Sequence, residues 1–141
     1  MRSSGTLAMI PEFEEYGYLP PGIHLATLDE IEARFGLESE IRRVQMESLR
    51  WLADLVHRSG AERLVINGSF TTNTNEPNDL DCAVMISEGM RFDPEIDEEF
   101  ELGLPFLQIE VLLPGPFSWL VDRMFASDRD MVPKGVVEVI L

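Results

Sequence analysis

Apolar residues recur at helical spacing in "ESEIRRVQMESLRWLADLVHRSG". Ile41, Val44, Leu49, Leu52, Leu55 and Val56 fall on one stripe, while Arg42, Arg43, Glu47, Arg50 and Asp54 fall mainly on other faces. The pattern predicts the clearest helix of the chain, ended by Gly60. A shorter stripe, Leu28, Ile31 and Phe35, follows Thr27. Thr27 and Glu30 form a capping-box pattern, so a helix is predicted over 28–35 with Gly36 as its stop. Two short apolar runs, "RLVIN" (63–67) and "LDCAVMI" (80–86), have strand length. "FLQIEVLLP" (106–114) reads as a third strand stopped by Pro114, and "GVVEVIL" as a fourth strand at a sheet edge.

The remaining segments are weaker in pattern. Residues 118–126 have helical spacing, and residues 69–74 can close a short helical turn. "SEGMRFDPEIDEEFELGLP" is acidic and irregular, with one helical turn near 94–101. "YLPPG" at 18–22 is expected to be extended, because proline cannot continue a helix and restricts its predecessor. Residues 1–17 are expected to be a flexible N-terminal segment, and residues 18–141 a single domain. The order α-α-β-β-β-α-β predicts an α+β fold, with helices packed on a small mixed β-sheet.

Composition narrows the function classes. The chain has 141 residues, 45% of them hydrophobic, which suits one domain with a true core. Its formal net charge of -15 comes from 26 acidic against 11 basic residues. Such a field disfavours extended nucleic-acid binding, but a small anion held with divalent cations is compatible with it. Cys82 is the only cysteine, so no disulfide framework is expected. No apolar run approaches the roughly 20 residues that span a bilayer, and no signal peptide is evident. The expectation is a soluble cytoplasmic protein with no membrane association. An edge strand would permit dimerisation without fixing an oligomeric state.

The candidate chemistry lies in "INGSFTTNTNEPNDLDCAV". Strand residues two apart share a face, so Asp79 and Asp81 would project together if the strand began near 79. Glu110, between Ile109 and Val111, is an acid in an apolar run and would be costly if buried alone. It becomes sensible if its strand lies beside 80–86 and brings it toward the aspartates. Clustered carboxylates raise one another's pKa unless a cation sits among them. Oxygen-only ligands suit Mg²⁺ or Mn²⁺, and two such ions about 4 Å apart can activate an attacking oxygen and stabilise leaving pyrophosphate. Gly68 permits close backbone approach after a strand. The Ser69 hydroxyl and free N–H groups at a helical turn could then hold phosphate oxygens.

"NGSFTTNTNEPNDLDCAV" followed by "QIEVL" resembles the signature of the polymerase-β-like nucleotidyltransferase superfamily. The pattern is Gly, Gly/Ser, about ten residues, acid-apolar-acid, then a later acid in an apolar strand. Gly68, Ser69, Asp79, Asp81 and Glu110 match it. "LPPGIHLATLDEIEARFG" and "KGVVEVIL" are further similar to a group of small bacterial proteins of that kind. The resemblance implies metal binding by Asp79, Asp81 and Glu110, polarisation of an acceptor hydroxyl by Glu110, and phosphate contacts from Gly68 and Ser69. It implies transfer of a nucleoside monophosphate from an NTP to an acceptor, with two Mg²⁺ or Mn²⁺ ions. Larger members carry a second domain, so the expectation is a minimal transferase. Some of these act as antitoxins by nucleotidylating a partner toxin, so a protein is among the acceptors. A non-catalytic nucleotide-binding or antitoxin-like interaction module is the alternative.

Other polar residues have plainer readings. Cys82 is expected in the core, His57 on the surface near a helix C-terminus, and His24 in local loop bonding. Arg42, Arg43 and Arg50 are expected to form a solvated helix face, and Trp51 and Trp119 to be packing residues. Lys134, the one lysine, is a candidate phosphate contact.

Overall fold

The capping box forms as the sequence predicts in the computed structural model, which describes residues 10–141. The Thr27 hydroxyl accepts from Glu30 N, and Glu30 Oε1 accepts from Thr27 N. Together they open α1 (Leu28–Phe35). Ser39 caps α2 (Glu40–Ser59), and Gly60 ends it in the left-handed region, where a residue without Cβ is unstrained. The strands are β1 (Ile23–Ala26), β2 (Arg63–Asn67), β3 (Asp81–Met85), β4 (Gln108–Leu112) and β5 (Val136–Val139). A 3₁₀ turn, Ser69–Thr71, follows β2. Helix α3 (Pro94–Leu102) precedes β4. Helix α4 (Pro114–Trp119) follows it and runs into a π-wound turn, Leu120–Met124.

The sheet is mixed, with order β1-β5-β2-β3-β4. Strand β2 is antiparallel to both β3 and β5, while β1 runs parallel to β5 and β4 parallel to β3. One face carries Leu64, Ile66, Cys82, Val84 and Val137, in one core with Ile31, Phe35, Leu49, Leu52 and Val56 of α1 and α2. The other face carries Val65, Ala83 and Val136, which pack with Phe117, Val121 and Phe125. The apolar stripes thus sort as their periodicity requires. Among the described residues, no helix is long and apolar enough to cross a membrane.

Several expectations change. The segment after "YLPPG" is not merely extended: Ile23–Ala26 is a strand that pairs with β5. As a result β5 is interior, and β1 and β4 are the edges. The helix expected over 118–126 starts at Pro114, where a proline at the first position is pre-organised for helix, and becomes π-wound after Trp119. The single turn near 94–101 is a full helix, capped by Asp93, with Pro94 in its first turn. Of the expected flexible segment 1–17, residues 1–9 lie outside the described residues. Phe13 packs at 6.1 Å from the Phe35 ring, and Asn73 N donates to Gly17 O. Trp51 and Trp119 are both exposed rather than packed inside.

Arg42 is the largest departure. It is only 4% exposed. Its guanidinium donates to the carbonyl oxygens of Phe35, Phe70, Thr72 and Thr74 at 2.5–3.1 Å. Three residues on in α2, Gln45 Nε2 donates to Pro77 O at 3.0 Å. The expected solvated arginine face is correct only for Arg43 and, in part, Arg50, which pairs with Asp29 and Glu32.

Candidate functional site

Gly68 lies immediately after β2 with φ +99, a conformation that side chains rarely adopt. A Cβ there would sit 2.9 Å from Asp79 O and 3.1 Å from Asp79 Oδ2. Glycine is therefore required both by backbone angle and by close approach. The turn beyond it is closed by the same aspartate. Ser69 N donates to Asp79 Oδ1 at 2.9 Å, and the Ser69 hydroxyl bonds that same oxygen. Phe70 N donates to Asp79 O, Thr71 N to Gly68 O and Thr72 N to Ser69 O. The amide N–H groups expected to be free at this turn are instead all engaged within it.

Strand β3 begins at Asp81, so Asp79 stands in the preceding loop rather than two residues up a strand. Its carboxylate turns back to Ser69. Asp81 pairs with Asn67 on one side and Gln108 on the other, forming a row across β2, β3 and β4. Glu110 belongs to the row two residues further along, opposite Ala83, and so lies on the same face as Asp81. The small Ala83 side chain places no bulk between the two acids.

Asp79, Asp81 and Glu110 line one hollow of about 500 Å³. Its far side is formed by Leu120 and Met124 of the π-wound turn, and by the loop carrying Asp128 and Lys134. That loop is held by an isolated bridge, Ser127 to Pro133, and by Asp128 Oδ1, which accepts from Asp130 N and Val132 N. The Tyr18 hydroxyl donates to Asp128 Oδ2 at 2.7 Å and ties the loop to the N-terminal segment. This bond pulls the Asp128 carboxyl below its ordinary range and pushes the Tyr18 phenol up. Lys134 Nζ stands 5.9 Å from the Tyr18 ring centroid.

The Asp81 carboxyl is pushed up, first by burial and then by the neighbouring Asp79 charge; Lys134 opposes the shift. Burial and a neighbouring negative charge thus both act against the ionised form of Asp81. Among the described residues, no three His, Cys, Asp or Glu side chains are gathered into a ready-made metal cage. The carboxylates border an open hollow instead. Asn67, which sequence reasoning passed over, lines the same hollow and is 4% exposed. Its Oδ1 is buried without a hydrogen-bond partner. The signal available in sequence was a polar residue closing the apolar run "RLVIN". Gln108, beyond Asp81 in the row, was missed as well.

The plainer readings hold for three residues. Cys82 is fully buried, and burial pushes its thiol pKa up. His24 Nε2 is 2.6 Å from Pro20 O, and His57 is exposed near the C-terminus of α2. A second hollow, about 630 Å³, lies over α2 between Trp51 and Phe106. It is bordered by Val44 and Leu104, with Glu47, Ser48, Arg50 and Asp54 at its polar margin.

The family described as "Family of unknown function (DUF6932)" matches residues 11–140, and the chain belongs to that family. No curated protein and no solved structure matches the chain.

Proposed function

We propose that this DUF6932 member is a metal-dependent nucleotidyltransferase with a polymerase-β-like core. It transfers a nucleoside monophosphate from an NTP to an acceptor, a protein among the candidates, and releases pyrophosphate. One observation carries the reading: Asp79, Asp81 and Glu110, from separate parts of the chain, line a single hollow together with Lys134. The Gly-Ser turn leaving β2, and acids on the adjacent parallel strands β3 and β4, support the core assignment.

The donor set fits a hard divalent cation. Every candidate ligand atom is oxygen, and the Asp79 charge acts against ionisation of Asp81, a repulsion that a cation would relieve. Mg²⁺ is commonly held by one or two carboxylates plus substrate phosphates, so acids around an open hollow suit it. Asp79, Asp81 and Glu110 would hold Mg²⁺ or Mn²⁺, which supplies charge neutralisation and activation of the attacking oxygen. Glu110 orients the acceptor hydroxyl and draws its proton. The acceptor oxygen bonds to the α-phosphorus as the bond to the bridging oxygen breaks, and pyrophosphate leaves with that electron pair. Gly68 and Ser69 receive the outer phosphates once the Ser69 hydroxyl exchanges Asp79 for phosphate. The Lys134 ammonium offsets phosphate charge. Catalysis of this kind is mostly positioning and electrostatics.

The test is label transfer from α-³²P-NTPs and pyrophosphate release with Mg²⁺ or Mn²⁺. The double variant Asp79→Asn, Asp81→Asn should lose at least about a hundredfold in rate while still folding, since it removes ligands and mutual repulsion together. Absence of both turnover and metal-dependent NTP binding in the unaltered protein would sink the reading.

A second reading, a nucleotide-binding or antitoxin-like module without turnover, is favoured by the bonds that tie the Ser69 N–H and hydroxyl to Asp79. NTP binding with no pyrophosphate release, and a partner complex that survives Asp79→Asn, would select it.

A further inference from the structure

Asn67 ends β2 at the floor of the hollow. Its register partner in β3 is Asp81. Directly opposed side chains on antiparallel strands share a face, with Cβ atoms about 5 Å apart. Both side chains line the hollow. Asn67 is 4% exposed, and its Oδ1 meets no donor. A buried amide oxygen left unmet is a standing cost to the fold, and native proteins keep few of them. Neither close neighbour donates to it: the Ser69 N–H and hydroxyl are engaged by Asp79, and an ionised Asp81 can only accept; Gln108, Arg129 and Lys134 line the same hollow but make no hydrogen bond to it. Two adjacent acceptors of this kind, an amide oxygen and a carboxylate, are jointly satisfied by a cation. Amide carbonyls are ordinary ligands of hard divalent ions.

We propose that Asn67 is a metal-binding residue, its Oδ1 supplying a neutral oxygen to the divalent ion that Asp81 holds. This rests on the metal-dependent reading of the hollow, and gives that site a ligand outside the acid-apolar-acid pattern. A neutral ligand suits the position, because a further carboxylate beside Asp79 and Asp81 would add repulsion in the metal-free protein.

The experiment is Mn²⁺ titration followed by electron paramagnetic resonance, with and without a non-hydrolysable NTP analogue, alongside thermal unfolding in chelator. Asn67→Leu keeps the volume and removes the oxygen. It should bind Mn²⁺ about tenfold more weakly. Its melting temperature in chelator should equal or exceed that of the unaltered protein, because an unmet buried oxygen has gone. Asn67→Asp should bind Mn²⁺ at least as tightly as the unaltered protein while melting lower in chelator. Equal Mn²⁺ affinity in Asn67→Leu would overturn the inference, as would weaker binding in Asn67→Asp. The second variant decides the matter if the first fails to fold. If the unaltered protein binds no Mn²⁺ in either condition, the metal-dependent reading falls and takes this inference with it. If Asn67→Leu weakens Mn²⁺ as expected but no nucleotide is ever transferred, the ligand role stands and the transferase reading falls.

Discussion

The hollow has two unlike sides. On the β2–β3 side the turn between the strands is fixed by its own contacts: Gly68 fits against Asp79, Ser69 and Asp79 bond each other, and Arg42 collects the carbonyls of the loop behind them. On the other side, Glu110 is exposed on an edge strand, and Met124 projects from the π-wound turn at 55% exposure. The difference separates two tasks. A site that stabilises developing charge gains from donors and ligands fixed beforehand, since no reorganisation is then needed at reaction. A site that admits an acceptor of unknown size needs an open flank. π-wound turns recur at functional sites for a related reason, as they bring side chains to positions a regular helix would turn away.

If that contrast is sound, damage to the fixed side should be felt in stability and damage to the open side should not. The largest effect is expected at Arg42. Arg42→Met leaves three buried carbonyls, those of Phe35, Phe70 and Thr72, without a donor. Each costs about 1–3 kcal/mol, so urea denaturation should register a loss of about 3 kcal/mol or more. The Thr74 carbonyl, on an exposed residue, can turn to water and adds little. Arg42→Lys keeps the charge but not the fork that reaches several carbonyls, so it should fall between. A loss under about 0.5 kcal/mol would show that the loop does not depend on α2.

Gly68→Ala comes next. It strains a backbone at φ +99 and presses a methyl against Asp79 O. The expected loss is about 2 kcal/mol by the same denaturation. Since the displaced residue is Asp79, Mn²⁺ binding should weaken too. Unchanged stability with unchanged metal binding would mean that the close approach is not required.

How much of this was legible follows from where the information sits. The capping box at Thr27, the stripe of α2 and the stop at Gly60 are set by residues within a few positions of one another, and they formed as read. Gly68, Ser69, Asp79, Asp81 and Glu110 were legible as a spaced pattern, and one hollow does collect the three acids. Strand β1 was not legible, because "IHLA" becomes a strand only through β5, more than a hundred residues later. The same pairing moved β5 from edge to interior. Arg42 was misread because helical periodicity reports polarity, and a guanidinium bound to four carbonyls is polar yet buried. Asn67 was passed over because its meaning rests on an unmet oxygen, which exists only once β3 lies alongside. The engagement of Ser69 by Asp79 likewise required the loop between them to close.

A smaller effect is expected where the N-terminal segment meets the loop of the open side. The Tyr18 hydroxyl and two backbone N–H groups hold the Asp128 carboxyl below its ordinary range near 3.8. A carboxyl depressed by folding adds stability above its unfolded pKa and loses it as pH falls through the folded value. The unaltered protein should therefore lose stability on acidification from pH near 4 downward more steeply than Asp128→Asn, which cannot titrate there. The comparison is made by urea denaturation across that window. Parallel profiles would show that Tyr18 does not secure the Lys134 loop through this bond.

The smallest expected change in stability is at Glu110, and it tests the contrast most sharply. The side chain is exposed and appears in no hydrogen bond or ion pair of the described residues. Glu110→Gln should shift unfolding by less than about 0.5 kcal/mol, as surface changes away from special features do. Loss of a group that in the proposed arrangement helps hold the metal and draws the acceptor proton should nonetheless lower the transfer rate by about a hundredfold or more. Its effect on KM should be small, because the outer phosphates lie on the other side of the hollow in the proposed arrangement. A variant that folds and binds NTP normally yet does not transfer would place the chemistry on the open flank. Full activity in Glu110→Gln would remove the third acid from the site and leave the fixed side to bind nucleotide alone.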